Sequence, residues 1–195
     1  MRNVGAIILA AGGSTRFGQP KQLVAFQGES LVRRAVRAAM EAQCARIAVV
    51  AGESIASIEK ELRETSAAVV PNPDWQRGLG TSIRCGLQHL LASISDLDAV
   101  LIMACDQPFV ESSTVAALIA KQKKTRTPII SSSYADTLGI PALFDRSCFE
   151  ALLALPDQSG AKALIESRPN DVTQVEFERG ALDIDTPADL ERLTS

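Results

Sequence analysis

The sequence has little of the chemistry on which metalloproteins and nucleic-acid-binding proteins depend. Its 195 residues include one histidine, and its four cysteines form no Cys-x-x-Cys pair, which excludes the common zinc sites. Widely spaced cysteines also favour a reducing, cytoplasmic setting. The net charge is −3, so basic residues are not in excess and a nucleic-acid partner is not expected.

Long apolar runs are absent as well. Hydrophobic residues make up 46% of the chain, but no stretch reaches the length of a membrane-spanning helix, so we expect a globular protein without a membrane partner. The first residues run directly into an apolar segment, and no signal peptide is expected. Since no linker divides the sequence, we predict a single domain over 1–195.

Strand-like and helix-like segments alternate along most of the chain. Strands are predicted over 4–10, 46–51, 67–71, 98–104 and 128–133, and helices over 30–43, 54–63, 81–93 and 113–123. Such alternation predicts an α/β fold with a mostly parallel sheet and helices on both faces. The last third is mixed, with extended segments over 138–144 and 172–177 and helices over 146–155, 160–167 and 186–193. We therefore expect antiparallel strands in that part of the sheet.

The first strand breaks into a glycine-rich loop that carries two cations, Arg16 and Lys21. Ligands of α/β sheets collect at the carboxyl ends of strands, where small residues let backbone N–H groups approach phosphate oxygens. We therefore predict a triphosphate site at this loop. The chain contains no Gly-Lys pair, and the spacing of Gly12, Gly13 and Gly18 does not fit the dinucleotide fingerprint, so the usual nucleotide templates do not apply.

Two aspartates are candidate ligands for Mg²⁺, which prefers carboxylate and phosphate oxygens. Asp106 follows the strand predicted over 98–104, and Asp185 precedes Thr186 and Pro187. Each has a structural alternative. Asp106 can begin a turn, and Asp185 can stand at a helix start in which Thr186 is the cap and Pro187 the first helical residue.

A second glycine-bearing loop, residues 72–82, opens the helix predicted over 81–93. The free N–H groups of a helix N-terminus suit an anion or the rim of a nucleotide pocket. Trp75, the single tryptophan, can either stack on a ligand ring or plug the edge of the sheet.

Together these blocks resemble the molybdenum cofactor cytidylyltransferases, a MobA-like group of NTP transferases within the GT-A-like nucleotidyltransferase superfamily. The blocks that carry the resemblance are Leu9-Ala10-Ala11-Gly12 through Lys21, Gly78-Leu79-Gly80-Thr81-Ser82, Cys105-Asp106-Gln107-Pro108, Gly139-x-Pro141-x-Leu143-Phe144, Gly160-Ala161-Lys162 and Asp183-Ile184-Asp185-Thr186-Pro187. The resemblance implies a three-layer α/β/α sandwich with a Rossmann-like, GT-A nucleotidyltransferase fold. It also implies a nucleotide-binding half over about 1–110 and an acceptor-binding half over about 111–195.

The resemblance also assigns roles to individual residues. The implied nucleotide-binding residues are Leu9, Ala10, Ala11, Gly12, Gly13, Arg16, Lys21, Asn72, Gly78 and Ser82. The implied acceptor-binding residues are Gly80, Thr81, Gln107, Pro108, Gly139, Pro141 and Phe144. Arg16, Lys21 and Asp106 would be catalytic, and Asp106 and Asp185 would hold Mg²⁺.

The implied reaction transfers CMP from CTP to the phosphate of molybdopterin and releases pyrophosphate, and a molybdenum hydroxylase is the implied recipient of the product. The Ala10-Ala11-Gly12 start favours CTP, because related guanylyltransferases typically carry Leu-Ala-Gly-Gly. The chain departs from the family at Ile140, where histidine is frequent, and at Gln158, where aspartate is frequent. Three alternatives therefore stay open: a sugar- or polyol-phosphate acceptor, a guanylyltransferase, and a non-catalytic module that delivers the cofactor.

Overall fold

A computed structural model of the protein describes residues 3–13 and 17–194. Within these residues the strands are β1 (Asn3–Ala10), β2 (Ala25–Phe26), β3 (Glu29–Ser30), β4 (Arg46–Ala51), β5 (Ala68–Pro71), β6 (Leu97–Ala104), β7 (Ile129–Tyr134), β8 (Thr137–Asp145) and β9 (Val172–Glu176). The α-helices are α1 (Leu31–Glu41), α2 (Ile55–Leu62), α3 (Leu79–Ser93), α4 (Ser112–Thr125), α5 (Phe149–Leu153), α6 (Ala161–Ser167) and α7 (Pro187–Thr194). Short 3₁₀ turns include Lys21–Leu23, Trp75–Arg77 and Glu178–Ala181.

Seven strands form one mixed sheet in the order β5-β4-β1-β6-β8-β7-β9. Strand β8 runs antiparallel to both of its neighbours, whereas the other neighbouring strands are parallel. The reversal occurs at Ala135 and Asp136, whose φ angles of 45° and 57° make a two-residue turn between β7 and β8. Left-handed conformations at both central residues match the twist of a tight hairpin.

Helices cover both faces of the sheet, which gives the three-layer α/β/α sandwich. Strand β1 is buried from Val4 to Ala10, and its alternate residues contribute to two different apolar clusters. One cluster receives side chains from α1, α2 and α4, and the other from α3, α5 and α6. A third, smaller cluster joins Phe26, Phe109 and Ile184, and thereby packs the segment before α7 against the hairpin of β2 and β3.

The fold-class prediction is confirmed, and most predicted elements lie within two residues of the observed ones. Ser30 caps α1 as expected, because its Oγ accepts a hydrogen bond of 3.3 Å from the Arg33 N–H. The β2–β3 hairpin is an element that the sequence pattern did not predict. Its strands have two residues each, too few for an alternating pattern. Among the helices that the structure describes, none is long and apolar enough to cross a membrane.

Candidate active site

The glycine-rich loop and Asp106 meet because they follow adjacent strands. Strands β1 and β6 pair in parallel with Leu9 opposite Ala104, so both chains leave the sheet at the same edge. The Cys105 N–H donates to the Leu9 carbonyl at 3.3 Å and extends this pairing to the residue before Asp106. Arg16, predicted for the same site, lies outside the described residues.

Lys21 joins the two predicted metal ligands. Its Nζ donates to Asp106 Oδ2 at 2.8 Å and to Asp185 Oδ1 at 2.6 Å. The segment that carries Asp185 is held beside Asp106, because the Ile184 N–H donates to the Asp106 carbonyl at 2.9 Å and the Ile184 side chain is fully buried. Asp106 and Asp185 therefore converge on one cation, although they lie far apart in sequence.

Asp185 also precedes a helix, as its structural alternative requires. Thr186 and Asp189 cap α7 reciprocally: the Thr186 N–H donates to Asp189 Oδ2 at 2.9 Å, and the Asp189 N–H donates to Thr186 Oγ1 at 3.2 Å. Helix α7 begins at Pro187, as predicted. The two interpretations are therefore compatible, since the cap orients the backbone and leaves the Asp185 carboxylate facing Lys21.

Negative charge is concentrated around Lys21. Burial lowers the pKa of Lys21, but the Asp106 and Asp185 carboxylates outweigh that effect and raise the pKa above the ordinary lysine value, so the ammonium group stays charged. Asp183 is a third carboxylate at this point. Desolvation, together with the charges of Asp106 and Asp185, raises the pKa of Asp183 to about 6. Asp183 was not among the predicted site residues, although its alternation with buried Ile184 places it on the same side of the chain as Asp185.

The carboxylates of Asp106 and Asp185 fit a divalent cation such as Mg²⁺. Their oxygens both lie within 2.8 Å of one atom, Lys21 Nζ, so they converge on a common point. Magnesium is commonly held by one or two protein carboxylates together with substrate phosphates and water. In the part of the chain that the structure describes, no cluster of three or more histidine, cysteine or acidic residues is arranged to hold a metal ion. The site suits a cation that arrives with a phosphate ligand.

A cavity of about 460 Å³ opens above Lys21 and Asp106. Predicted residues in its wall are Leu9, Ala10, Ala11, Gly12, Lys21, Gly78, Ser82, Asp106 and Gln107. Residues in the wall that were not predicted include Gln22, Trp75, Leu79, Tyr134, Ile140 and Asp183. A second cavity of about 520 Å³ adjoins the glycine loop on its other side and includes Gly13, Glu53 and Ser54.

The buried side chain of Gln22 supports the backbone of the glycine-rich loop. Its side chain is 2% exposed, and its Nε2 donates to the carbonyls of Ala10 at 2.8 Å and Gly12 at 2.9 Å. A buried amide with these partners holds the backbone of the loop in one conformation. The sequence did not predict this role, because the polar residues around Gln22 do not distinguish a buried glutamine from a solvent-exposed one.

Asn72 and Thr81 support the second glycine loop rather than line the cavity. Asn72 is 4% exposed, and its Nδ2 donates to Thr81 Oγ1 at 2.9 Å and to Ser82 Oγ at 3.0 Å. Thr81 Oγ1 in turn donates to the Gly78 carbonyl at 2.8 Å. These bonds hold the start of α3 against the cavity, where Gly78 and Ser82 form part of the wall.

The second glycine loop is clamped onto the segment 156–158. A Cβ on Gly80 would lie 2.1 Å from the Pro156 carbonyl oxygen, and one on Gly78, whose φ is +133°, would lie 2.3 Å from the Asp157 carbonyl oxygen. Glycine is therefore required at both positions. Gly80 contacts this segment instead of the cavity, although an acceptor role was predicted for it.

The contact between the second glycine loop and the segment 156–158, here called the clamp, is also stabilised by the Asp157 side chain. Its carboxylate pairs with Arg77 at 2.6 Å and with Arg84, whose guanidinium also donates to the Leu155 carbonyl. These arginines hold the pKa of Asp157 below its ordinary value, with the Arg84 hydrogen bond as the largest cause. The carboxylate is therefore ionised, and the loop that borders the cavity depends on it.

If the site binds a nucleotide and releases pyrophosphate, as the resemblance implies, replacing Asp157 with alanine is expected to raise the KM for that nucleotide about fivefold while kcat changes less, because the loop is loosened but the reacting groups remain. Steady-state kinetics of the implied reaction measure this split. Asp74→Ala is the matched control, since the Asp74 carboxylate pairs with exposed Arg77 at the longer distance of 3.6 Å. Equal effects of the two substitutions would contradict the clamp.

On the acceptor side, Gln107 lies where it was expected. Its side chain is 7% exposed and lines the cavity, and its Nε2 donates to the carbonyls of Ile140 at 3.1 Å and Gly180 at 2.8 Å. Tyr134, which also lines the cavity, donates from its hydroxyl to the Ile140 carbonyl at 3.0 Å. Ile140 is thus held at the wall by two neighbours.

Besides Gly80 and Thr81, four predicted acceptor residues lie outside the cavity wall. Phe144 is fully buried in the cluster beneath α3, α5 and α6, and Pro108, Gly139 and Pro141 do not line the cavity. For Phe144 the reason is its position along β8. Because β8 is antiparallel to β6, Phe144 pairs with Val100 and lies toward the end of the sheet opposite Asp106. The residue that reaches the cavity from this motif is Ile140.

The two departures from the resembled family have different positions. Ile140 lines the cavity, whereas Gln158 is exposed and its Nε2 donates to the Arg77 carbonyl on the outer side of the clamp.

Cys105, next to Asp106, is 3% exposed, and burial raises the pKa of its thiol, so it is a buried apolar residue as expected rather than a nucleophile.

At the carboxyl edge of this mixed α/β sheet, a glycine-rich loop lies beside a lysine bound by two aspartates, an arrangement suited to binding phosphates. The family follows from the sequence itself. Residues 6–172 match the MobA-like NTP transferase domain, and the chain belongs to that family of nucleotidyltransferases.

Individual relatives match the chain over nearly its whole length. The sequence is 25% identical to nicotine blue oxidoreductase of Paenarthrobacter nicotinovorans over 199 residues, which cover 97% of this chain and 96% of that protein. The crystal structure of Rv0371c from Mycobacterium tuberculosis superposes with a TM-score of 0.83 at 26% identity, covering 99% of this chain and 98% of that one. A manganese complex of Rv0371c gives a TM-score of 0.76 at 24% identity, with the same coverage of both chains.

A third relative shares the fold at lower identity. Molybdopterin-guanine dinucleotide biosynthesis protein A from Archaeoglobus fulgidus superposes with a TM-score of 0.71 at 20% identity, covering 97% of this chain and 96% of that one.

Proposed function

We propose that the protein transfers CMP from CTP to the phosphate of a molybdopterin-type acceptor and releases pyrophosphate in a Mg²⁺-dependent reaction. The observation that carries this proposal is Lys21, whose Nζ is held between Asp106 and Asp185 at the base of a cavity that the glycine loop borders. Membership of the MobA-like family supports the reaction class. The name of the Archaeoglobus neighbour supports a molybdopterin acceptor.

The reaction needs alignment and charge neutralisation more than acid–base catalysis. A phosphate oxygen of the acceptor attacks the α-phosphorus of CTP, the bond from that phosphorus to the oxygen bridging to the β-phosphate breaks, and pyrophosphate leaves with the electron pair. The acceptor is already an anion, so no strong base is required. Lys21 and Arg16 would neutralise the phosphates as charge moves onto the leaving group.

Asp106 and Asp185 would hold the magnesium ion, which when bound supplies further neutralisation of the triphosphate. The name of the manganese complex of Rv0371c supports a divalent cation in this family. Because Lys21 lies between the same two carboxylates, the lysine and the metal ion would each neutralise part of the charge at this point.

The proposed preference for cytosine as the nucleobase rests on the first residues of the glycine-rich loop. Ala10 and Ala11 are 2% and 9% exposed, and both lie in the wall of the cavity. A methyl group at position 11, where guanylyltransferases typically carry glycine, leaves less space beside the backbone of the loop. This supports CTP, whose single-ring base is smaller than guanine.

The acceptor is supported less directly than the nucleotide. Of the two departures from the resembled family, Ile140 alone faces the cavity, and it replaces a frequent histidine with an apolar side chain. A sugar or polyol phosphate is therefore the second candidate acceptor. Transfer of the product to a molybdenum hydroxylase, a cytoplasmic location and a single-domain organisation are parts of the same proposal.

Pyrophosphate release tests the proposal directly. CTP, GTP, ATP and UTP are each combined with Mg²⁺ and either molybdopterin or a set of sugar 1-phosphates, and turnover is expected with CTP and molybdopterin. Turnover with GTP would indicate a guanylyltransferase, and turnover with a sugar phosphate would identify the second acceptor class. Tight binding of the finished cofactor without pyrophosphate release would indicate a delivery module. Reduction of nicotine blue without pyrophosphate release would instead indicate the activity named for the Paenarthrobacter relative.

A further inference from the structure

Trp75 lies on the glycine-rich loop rather than in the core. It begins the 3₁₀ turn Trp75–Arg77 after β5, and it belongs to none of the three apolar clusters of the described residues. A Cβ on Gly52 would lie 2.7 Å from its Cγ, and a Cβ on Gly13 would lie 3.0 Å from its Cη2. The indole therefore spans from the end of β4 to the glycine loop, and it fits there because both positions lack a side chain.

The indole is a wall shared by two cavities. Trp75 lines both the cavity above Lys21 and the neighbouring one that includes Glu53 and Ser54. The backbone of residues 10–12 lines the same two cavities, whereas Tyr134 and Ile140 on the opposite wall line only the first. Trp75 is thus on the same side of the site as the loop residues to which the proposed function assigns the nucleotide.

The ring is available to a ligand. It is only half-buried, so part of the indole is exposed. A half-exposed indole beside a phosphate-binding loop offers a flat apolar surface and one donor, which suits a nucleobase. A plug at the sheet edge would instead be packed among apolar side chains.

We infer that Trp75 is the platform on which the base of the nucleotide stacks, and that it is therefore a binding residue of the nucleotide side. This inference rests on the proposed nucleotidyltransferase function. It assigns Trp75 to the nucleotide and not to the acceptor, whose wall is formed by Tyr134 and Ile140.

The intrinsic fluorescence of the native protein tests the inference without a substitution, because Trp75 is the single tryptophan. With excitation at the red edge of the indole band, titration with CTP and Mg²⁺ is expected to quench the emission. Inorganic triphosphate, which has the phosphates but no base, is expected to raise the melting temperature with little quenching. Free N-acetyltryptophanamide corrects for absorption by the nucleotide.

Two substitutions give a second measurement. Trp75→Leu is expected to raise the KM for CTP about tenfold while kcat and the KM for the acceptor stay within about twofold, because base stacking contributes to nucleotide binding alone. Trp75→Phe keeps a ring and is expected to recover most of the loss. Circular dichroism and thermal unfolding show whether each variant is folded.

The outcomes separate this inference from the proposed function. Stabilisation by CTP without quenching, or equal quenching by inorganic triphosphate, overturns the role of Trp75 and leaves the function standing. A rise in the acceptor KM in place of the CTP KM also overturns it. If no nucleoside triphosphate raises the melting temperature, the proposed function fails, and the inference fails with it.

Discussion

Replacing Lys21 with methionine is expected to lower the rate of pyrophosphate release about a thousandfold, the order of effect seen when one preorganised charge-stabilising group is removed from an active site. Methionine keeps an unbranched apolar stem and removes the positive charge. That charge is held by Asp106 at 2.8 Å and Asp185 at 2.6 Å, at the base of the cavity. The assay is pyrophosphate release under saturating CTP and acceptor.

The same variant has an expected effect that does not depend on turnover. Without the ammonium group, the carboxylates of Asp106 and Asp185 lose the cation that neutralises them, and their repulsion is relieved by a divalent ion instead. Lys21→Met is therefore expected to bind Mn²⁺ more tightly than the native protein in the absence of nucleotide. Calorimetry or the electron paramagnetic resonance of free Mn²⁺ measures this affinity.

Lys162→Met is the matched control for both measurements, because Lys162 pairs with exposed Glu166 at 3.8 Å on α6 and lies outside the cavity. It is expected to leave turnover and Mn²⁺ affinity unchanged. Turnover of Lys21→Met within tenfold of the native rate would contradict the assignment of Lys21 to the phosphates.

Asp106→Asn is expected to reduce turnover by a similar factor, at least several hundredfold. Asparagine preserves the shape of the side chain, and the Ile184 N–H bonds the backbone carbonyl of residue 106, so the contact between β6 and the 183–185 segment is retained. What is lost is the negative charge that faces Lys21 and would hold the metal ion. Because the metal ion is then bound more weakly, the Mg²⁺ concentration that gives half-maximal turnover is expected to rise.

Asp98→Asn provides the control on the same strand. Asp98 lies near the start of β6, where its Oδ2 accepts a hydrogen bond from the Asn3 N–H at 3.1 Å, and an amide oxygen can take its place. Native turnover is expected for this variant.

Asp185→Asn tests whether Asp185 is a metal ligand or only the residue that precedes the cap of α7. A large loss of turnover identifies Asp185 as a ligand, whereas native turnover would leave it only the role of preceding the Thr186 cap.

Much of the fold could be predicted because its signals are local. The buried run over 4–10 and the alternation of apolar periods predicted the parallel part of the sheet, and the polar residues at strand ends predicted the sheet edge at which we propose the site. The caps at Ser30 and Thr186 also follow from short-range chemistry, and both are observed.

The placement of the predicted acceptor residues depends on the tertiary structure, because it follows from where each residue lies along β8. The turn between β7 and β8 uses Ala135 and Asp136 in left-handed conformations, and these residues do not carry the Asn-Gly signal typical of such hairpins. With β8 antiparallel, Phe144 lies at the far end of the sheet and Ile140 reaches the cavity. The supporting residues Gln22 and Asp157 were missed for a related reason, since their partners lie on other segments.

By itself, the sequence determined the elements, the glycine loop and the carboxylates available for the site, because each depends on residues within a few positions of one another. Only the tertiary structure decided which of them meet. Lys21 is 85 residues from Asp106 and 164 from Asp185, yet its Nζ contacts both. The position of the Trp75 indole likewise depends on Gly13 and Gly52, which approach it from other loops. Such contacts follow from strand order and packing across the whole chain, which no local pattern encodes.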